Sequence, residues 1–186
     1  MKFAAASYGQ EVASLLALDQ EGQRLMPLAG GTCSSPEASR RLRGAHAREL
    51  FPAGRAPEAA LSGLWLYFSC LDESHSLSQR IETPEGSFWH GIMHRQEPDP
   101  ENAGYWFRRT GRHPVFKNLH EEAERLAGSG ALFSPGAQWD PFRFIDFCEQ
   151  ARQKPGSEAE NLARKIQRAE WQILFDYCAG PEIPSG

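Results

Sequence analysis

His90 and His94 stand four residues apart in the stretch from Phe88 to His113. On a helix that spacing sends both side chains from one face, with Cβ atoms roughly 5 to 6 Å apart. Glu97 continues the same line. Two neutral imidazoles so placed can chelate one divalent ion such as zinc, iron or manganese. A third ligand would come from Glu97, Asp99, His75 or His113, with one position open for water. An ion held this way lowers the pKa of its water and supplies hydroxide for hydrolysis. The pattern is not the zincin motif, which places a glutamate base directly after the first histidine. Gly91 stands there, so Glu85, Glu97 or Asp99 would have to serve as the base.

The same stretch supports a second chemistry that needs no metal. Arg95, Arg108 and Arg109 can hold the carboxylate or phosphate of a small anionic molecule, because guanidinium recognises such groups through paired hydrogen bonds. His90 or His94 would then act as acid or base near neutral pH, with Asn102 and Tyr105 orienting the ligand. Asn102, Tyr105 and Arg109 align at spacings of three and four, while Tyr105, Trp106 and Phe107 demand burial in succession. A buried arginine on such a stripe needs a carboxylate, a carbonyl or an anionic ligand, since an unpaired interior charge is costly. The expected arrangement is an interior polar cavity lined by His90, His94, Asn102, Tyr105 and Arg109, with His75, Glu97, Asp99 and His113 in support. A third reading is purely structural. Asp99 caps its helix, Glu97 pairs with Arg109, His113 caps the helix after Pro114, and the other polar groups satisfy one another at a crowded junction.

The run Trp89-His90-Gly91-Ile92-Met93-His94-Arg95, continued by Glu97-Pro98-Asp99, Asn102-Ala103, Tyr105 to Arg109, Gly111 and His113-Pro114, resembles the signature of an uncharacterised family of helical proteins from bacteria and fungi. The resemblance implies a shared site or core and supplies no reaction.

The elements that must position these residues are helical. The chain has only Val12 and Val115, six Ile and three Thr, so the types that fill strands are scarce and the helix formers Ala and Leu dominate. An all-α fold of six to seven helices follows. The first is predicted over Gln10 to Gln20. The second is capped by Ser35 and runs from Pro36 to Leu50. A long helix runs from Pro57 to Arg80, with Leu61, Trp65, Phe68, Asp72, His75 and Gln79 along one stripe, which sends His75 toward the core. Ser87 to Gln96 and Pro100 to Thr110 carry the chemistry. Further helices start at Pro114, at Pro141 behind the Asp140 cap, and at Ser157, the last reaching Cys178. The basic run Arg40, Arg41, Arg43, His46 and Arg48 reads as a solvated face, as do His120, Glu121, Glu122 and Glu124. Phe142, Phe144 and Phe147 read as core.

At 186 residues with 40% hydrophobic content, the chain is expected to form one domain over residues 1–186, frayed after Gly180, with a core large enough to need no cross-link. The net charge of -4 gives no general attraction to nucleic acid or anionic lipid. Phe3 to Ala6 is too short an apolar run for a signal peptide, and Ala59 to Leu71 falls short of a membrane span. No membrane or nucleic-acid partner is expected, and the protein reads as cytoplasmic. Cys33, Cys70, Cys148 and Cys178 form no Cys-x-x-Cys pair and read as buried or idle thiols, with a disulfide left open.

Overall fold

Ten α-helices and no strand occur among the described residues, 5–129 and 132–181 of the computed structural model. The all-α expectation holds, but ten helices exceed the six to seven expected; two of the expected helices each divide in two, and a third stops early. α1 (Gln10–Leu16) ends before Gln20 and Glu21, whose positive φ of 59° and 52° ends helical geometry. The helix expected over Pro36 to Leu50 breaks at Gly44, giving α2 (Pro36–Arg43) and α3 (Ala47–Leu50), with His46 extended between them. The long helix divides at Phe68 to Cys70 into α4 (Pro57–Tyr67) and α5 (Leu71–Ser78). Tertiary partners compensate this last break. Ser69 takes φ 57°, the Phe68 carbonyl accepts from the Ser34 amide at 2.7 Å, and the Tyr67 carbonyl accepts from Arg24. Carbonyls that would continue the helix are thus spent on the 24–34 segment. A disulfide joins Cys33 to Cys70 at the same place, so two of the four cysteines are not idle thiols; Cys148 and Cys178 are buried and free.

α6 (Pro84–Gln96) starts three residues earlier than predicted, because the Thr83 hydroxyl accepts from the Gly86 amide and Pro84 suits the first turn. α7 (Pro100–Thr110) follows as predicted, with the Asp99 carboxylate accepting from the Asn102 amide at 3.1 Å. α8 (Phe116–Ala127) begins two residues after Pro114, which lies in a turn closed by a Phe116 N–H to His113 C=O bond. α9 (Pro141–Arg152) carries the predicted Asp140 cap, and α10 (Glu158–Ala179) is capped by Ser157, which was expected to be its first residue. The Gly180 carbonyl accepts from the Arg55 amide at 2.8 Å, so the chain stays anchored there; the remainder of the expected frayed tail, 182–186, lies outside the described residues.

One apolar cluster runs through the molecule, with α10 packed against α4, α8 and α9, and α6 held among α4, α5 and α7. α6 is buried around its whole circumference from Gly86 to Gln96, as its density of large apolar residues predicted. Close approach of its neighbours depends on two glycines. A Cβ on Gly63 of α4 would lie 2.6 Å from the Trp89 ring, and one on Gly91 would lie 3.0 Å from the Phe107 ring. The Gly63 carbonyl also accepts from the Trp171 indole at 2.7 Å, tying α4 to α10. These contacts leave α6 one fixed rotation, and that rotation aims His90 and His94 at α5.

Among the secondary candidates, Arg40, Arg41, Arg43 and Arg48 pair with Glu37, Glu11, Glu73 and Glu58 on the surface. Phe144 and Phe147 are core, whereas Phe142 is 39% exposed and so departs from its predicted place. His120 is half-buried and contacts the Gly136 carbonyl at 2.8 Å, so it is less of a surface group than its helix face suggested.

Candidate metal centre

Three imidazoles meet where α5 crosses α6. Ligand atoms of His75, His90 and His94 all lie within 4.8 Å of one another. The ring centroids are 4.7 Å apart for His75 and His90, 4.7 Å for His90 and His94, and 5.4 Å for His75 and His94. His90 is 1% exposed and His94 is buried, while His75 is half-buried and forms the wall nearest solvent. Tetrahedral zinc at about 2.1 Å from each nitrogen sets ligand nitrogens about 3.4 Å apart, so the cluster needs modest ring rotations to close on an ion.

Hydrogen bonding fixes the tautomer of His90. The Ser78 hydroxyl lies 2.8 Å from His90 Nδ1 and 2.7 Å from the Ser74 carbonyl. A carbonyl can only accept, so the single hydroxyl proton goes to Ser74, and Ser78 Oγ accepts from His90 Nδ1–H. His90 therefore carries its lone pair on Nε2. His94 has a similar neighbour, with Nδ1 3.2 Å from Glu97 Oε2, without the alignment of a good hydrogen bond. An imidazole held at Nδ1 by a hydroxyl or carboxylate offers Nε2 to a metal, the usual second-layer arrangement around metal-bound histidine.

Burial keeps the His90 and His94 rings neutral. Burial pushes the His90 imidazole down to about 3, and the neighbouring His94 and His75 lower it further. Burial also lowers His94, against the opposing pull of Glu97. Neutral imidazole is the form that binds a metal. The ring of His75 makes no hydrogen bond to any described residue; its recorded contacts are with the other two imidazoles.

The remaining predicted residues scatter. Arg95 leaves α6 on the opposite side, fully buried, and pairs with Glu170 through both terminal nitrogens, with Gln167 nearby and the Phe144 ring 4.5 Å from its guanidinium. It is a core residue and not an anion ligand. Asn102 and Arg108 are exposed, Tyr105 is 47% exposed, and Arg109 lies outside, so the interior cavity expected to join them to the imidazoles is not formed. Asn102 instead donates to the Asp99 carboxylate at 2.7 Å. Glu97 serves His94 and is not paired with Arg109. His113 is buried elsewhere, against Phe88 and Tyr177, with Nε2 3.6 Å from Glu85 and Nδ1 accepting from the Val115 amide. That bond lies in the turn before α8, whose N-cap is Val115 and takes no side-chain cap, so the predicted capping role is not filled. The interaction with His113 also draws the Glu85 carboxyl down to about 2.

Two contributors were missed by sequence reasoning. Ser78 stands one turn beyond His75 and would have been visible as the next residue on that face. Trp106 was assigned only to burial, yet its ring lies 4.1 Å from the His90 ring and carries the Arg109 guanidinium 5.3 Å from its centroid. Arg109 is thereby held at the rim by a cation–π contact.

The chain matches no known family model, no characterised protein and no solved structure in comparisons with each.

Proposed function

We propose that His75, His90 and His94 bind one divalent metal ion and that the protein uses it for hydrolytic chemistry. The observation that carries this reading is the convergence of two buried imidazoles and one half-buried imidazole within 4.8 Å, one of them with Nδ1 occupied by Ser78. Three imidazoles suit zinc best, with iron or manganese as weaker fits to an all-nitrogen set. A fourth position, on the half-buried side beside His75, would admit water, and a bound ion would bring that water's pKa to near neutrality. Glu97 and Asp99 are the carboxylates nearest His94 and are the candidates for general base. Arg109, held at the rim over Trp106, would meet the anionic group of a substrate before it reaches the ion. A network serving packing alone accounts less well for His75, which contributes no hydrogen bond to it.

Metal analysis of protein purified without chelator tests the proposal. One equivalent of zinc, iron or manganese is expected, falling to background in a His90→Ala/His94→Ala variant. Zinc added to apo protein at a hundred times its Kd should stabilise it by about 2.7 kcal/mol, which raises Tm by roughly 5 to 10 °C. Absence of both metal and thermal response would overturn the proposal.

A further inference from the structure

A cavity lies on the far side of α7 from the histidines. It is a groove of about 980 Å³ bounded by the end of α7, the first half of α8 and the segment 135–143 leading into α9. Its wall is aromatic, from Phe107, Phe116, Trp139 and Phe142. Its rim is cationic. Arg108, Arg112 and Lys117 line it and form no ion pair with any described residue, while the fourth cation, Arg143, lies 3.8 Å from Asp140. Glu121 is the only other acid in the lining. A chain of net charge -4 thus concentrates uncompensated positive charge around one apolar hollow.

We infer that this groove binds a small organic anion: a planar apolar body carrying one sulfonate, carboxylate or phosphate group. The aromatic wall takes the body and the Arg108–Arg112–Lys117 rim takes the charge. Three details argue for a built site. Phe142 keeps 39% of its surface exposed, although Phe144 and Phe147 on the same helix are core. The Trp139 indole N–H, buried in the wall, has no hydrogen-bond acceptor. The volume is at the upper end of the several hundred to about 1,000 Å³ usual for small-molecule pockets. The inference does not depend on the metal centre.

Isothermal titration calorimetry with three probes tests it. 2-Naphthalenesulfonate is expected to bind with one-to-one stoichiometry. 2-Naphthol, which lacks the charge, and inorganic sulfate, which lacks the apolar body, should each bind at least about tenfold more weakly. An Arg108→Glu/Arg112→Glu variant should weaken the sulfonate at least about tenfold, with Tm and circular dichroism unchanged because both side chains are exposed. An Arg40→Glu/Arg43→Glu variant, carrying the same charge change on α2, should leave its affinity intact. Failure of the sulfonate to bind, equal binding of 2-naphthol, or equal losses in the two charge-reversed variants would each overturn the inference. His90→Gln protein should bind the sulfonate as the wild type does, which separates this site from the histidine cluster.

Discussion

Replacing Glu170 by leucine should be among the most damaging single changes in this protein, and replacing Arg95 by methionine in the same molecule should undo most of the damage. Both side chains are fully buried, and each guanidinium terminal nitrogen meets one carboxylate oxygen. Burial pushes the Glu170 carboxyl pKa up while Arg95 pulls it back, so the pair is held against its own desolvation. Glu170→Leu leaves the guanidinium with Gln167 Oε1 at 3.5 Å and the face of Phe144, neither of which neutralises it. Breaking a buried pair from one side costs about 3 to 5 kcal/mol, whereas exchanging both partners for apolar residues of similar volume is often neutral. In a chain of this length the single variant should lose roughly 10 °C in Tm. Urea unfolding of the four members of the cycle measures the coupling. Metal content should be unchanged in the double variant, because Arg95 faces α9 and α10 and not the imidazoles. A loss below about 1 kcal/mol for Glu170→Leu, or a double variant no more stable than that single one, would refute the account.

Three further outcomes follow from the same structure. Ser78→Ala removes the acceptor that fixes His90 Nδ1–H, so zinc affinity measured by chelator competition should fall about 10- to 100-fold, with an apo stability loss of about 1 to 3 kcal/mol from the buried donor left unpaired; an unchanged affinity would discount the tautomer argument. In chelator-treated protein, His90 binds its proton below about 3 when folded and near 6.5 when unfolded. The unfolded state thus takes up the proton first, and stability falls as pH drops from 6.5 toward 3 by about 1.4 kcal/mol per unit. Between pH 7 and pH 5 the wild type should lose about 2 kcal/mol more than His90→Gln in urea titrations; equal slopes would contradict the neutral-ring assignment. Reduction of the Cys33–Cys70 bond, which spans 37 residues, should cost about 4 kcal/mol by the loop-closure argument. Since such a bond persists in oxidising surroundings, the thiol titre of protein taken directly from cells tests the cytoplasmic placement: four thiols fit it and two do not.

What the sequence disclosed about the site depended on distance along the chain. Pairs within one helix were legible, because a spacing of three or four fixes a shared face whatever the tertiary context. His90 and His94 came from that rule, and the caps at Asp99 and Asp140 came from an equally local signal, an aspartate followed by proline. His75 was legible too, although its helix was drawn wrongly. The stripe through Phe68 and His75 already pointed to the core, and the break at Ser69 still leaves α5 alongside α6. The break itself rests on Ser34, Arg24 and Cys33, more than thirty residues upstream, and no local pattern announces such partners.

The arginines show the same limit more sharply. The argument that a buried guanidinium must find a partner was sound, but it was applied to Arg109 on the evidence of three successive aromatics, Tyr105, Trp106 and Phe107. Only Phe107 is fully buried; Tyr105 is exposed and Trp106 half-exposed, so α7 is amphipathic and its arginines reach solvent. Arg95 lay on the helix predicted to be buried all round, and the same rule applied there demands a carboxylate from elsewhere in the fold. Glu170, 75 residues away in the middle of α10, supplies it. Glu170 stands between Ala169 and Trp171, and that charged residue among apolar neighbours was the signal available in sequence. Pairing the two would have removed Arg95 from the set of ligand-binding residues and left the imidazoles as the polar groups of α6 still in need of a role.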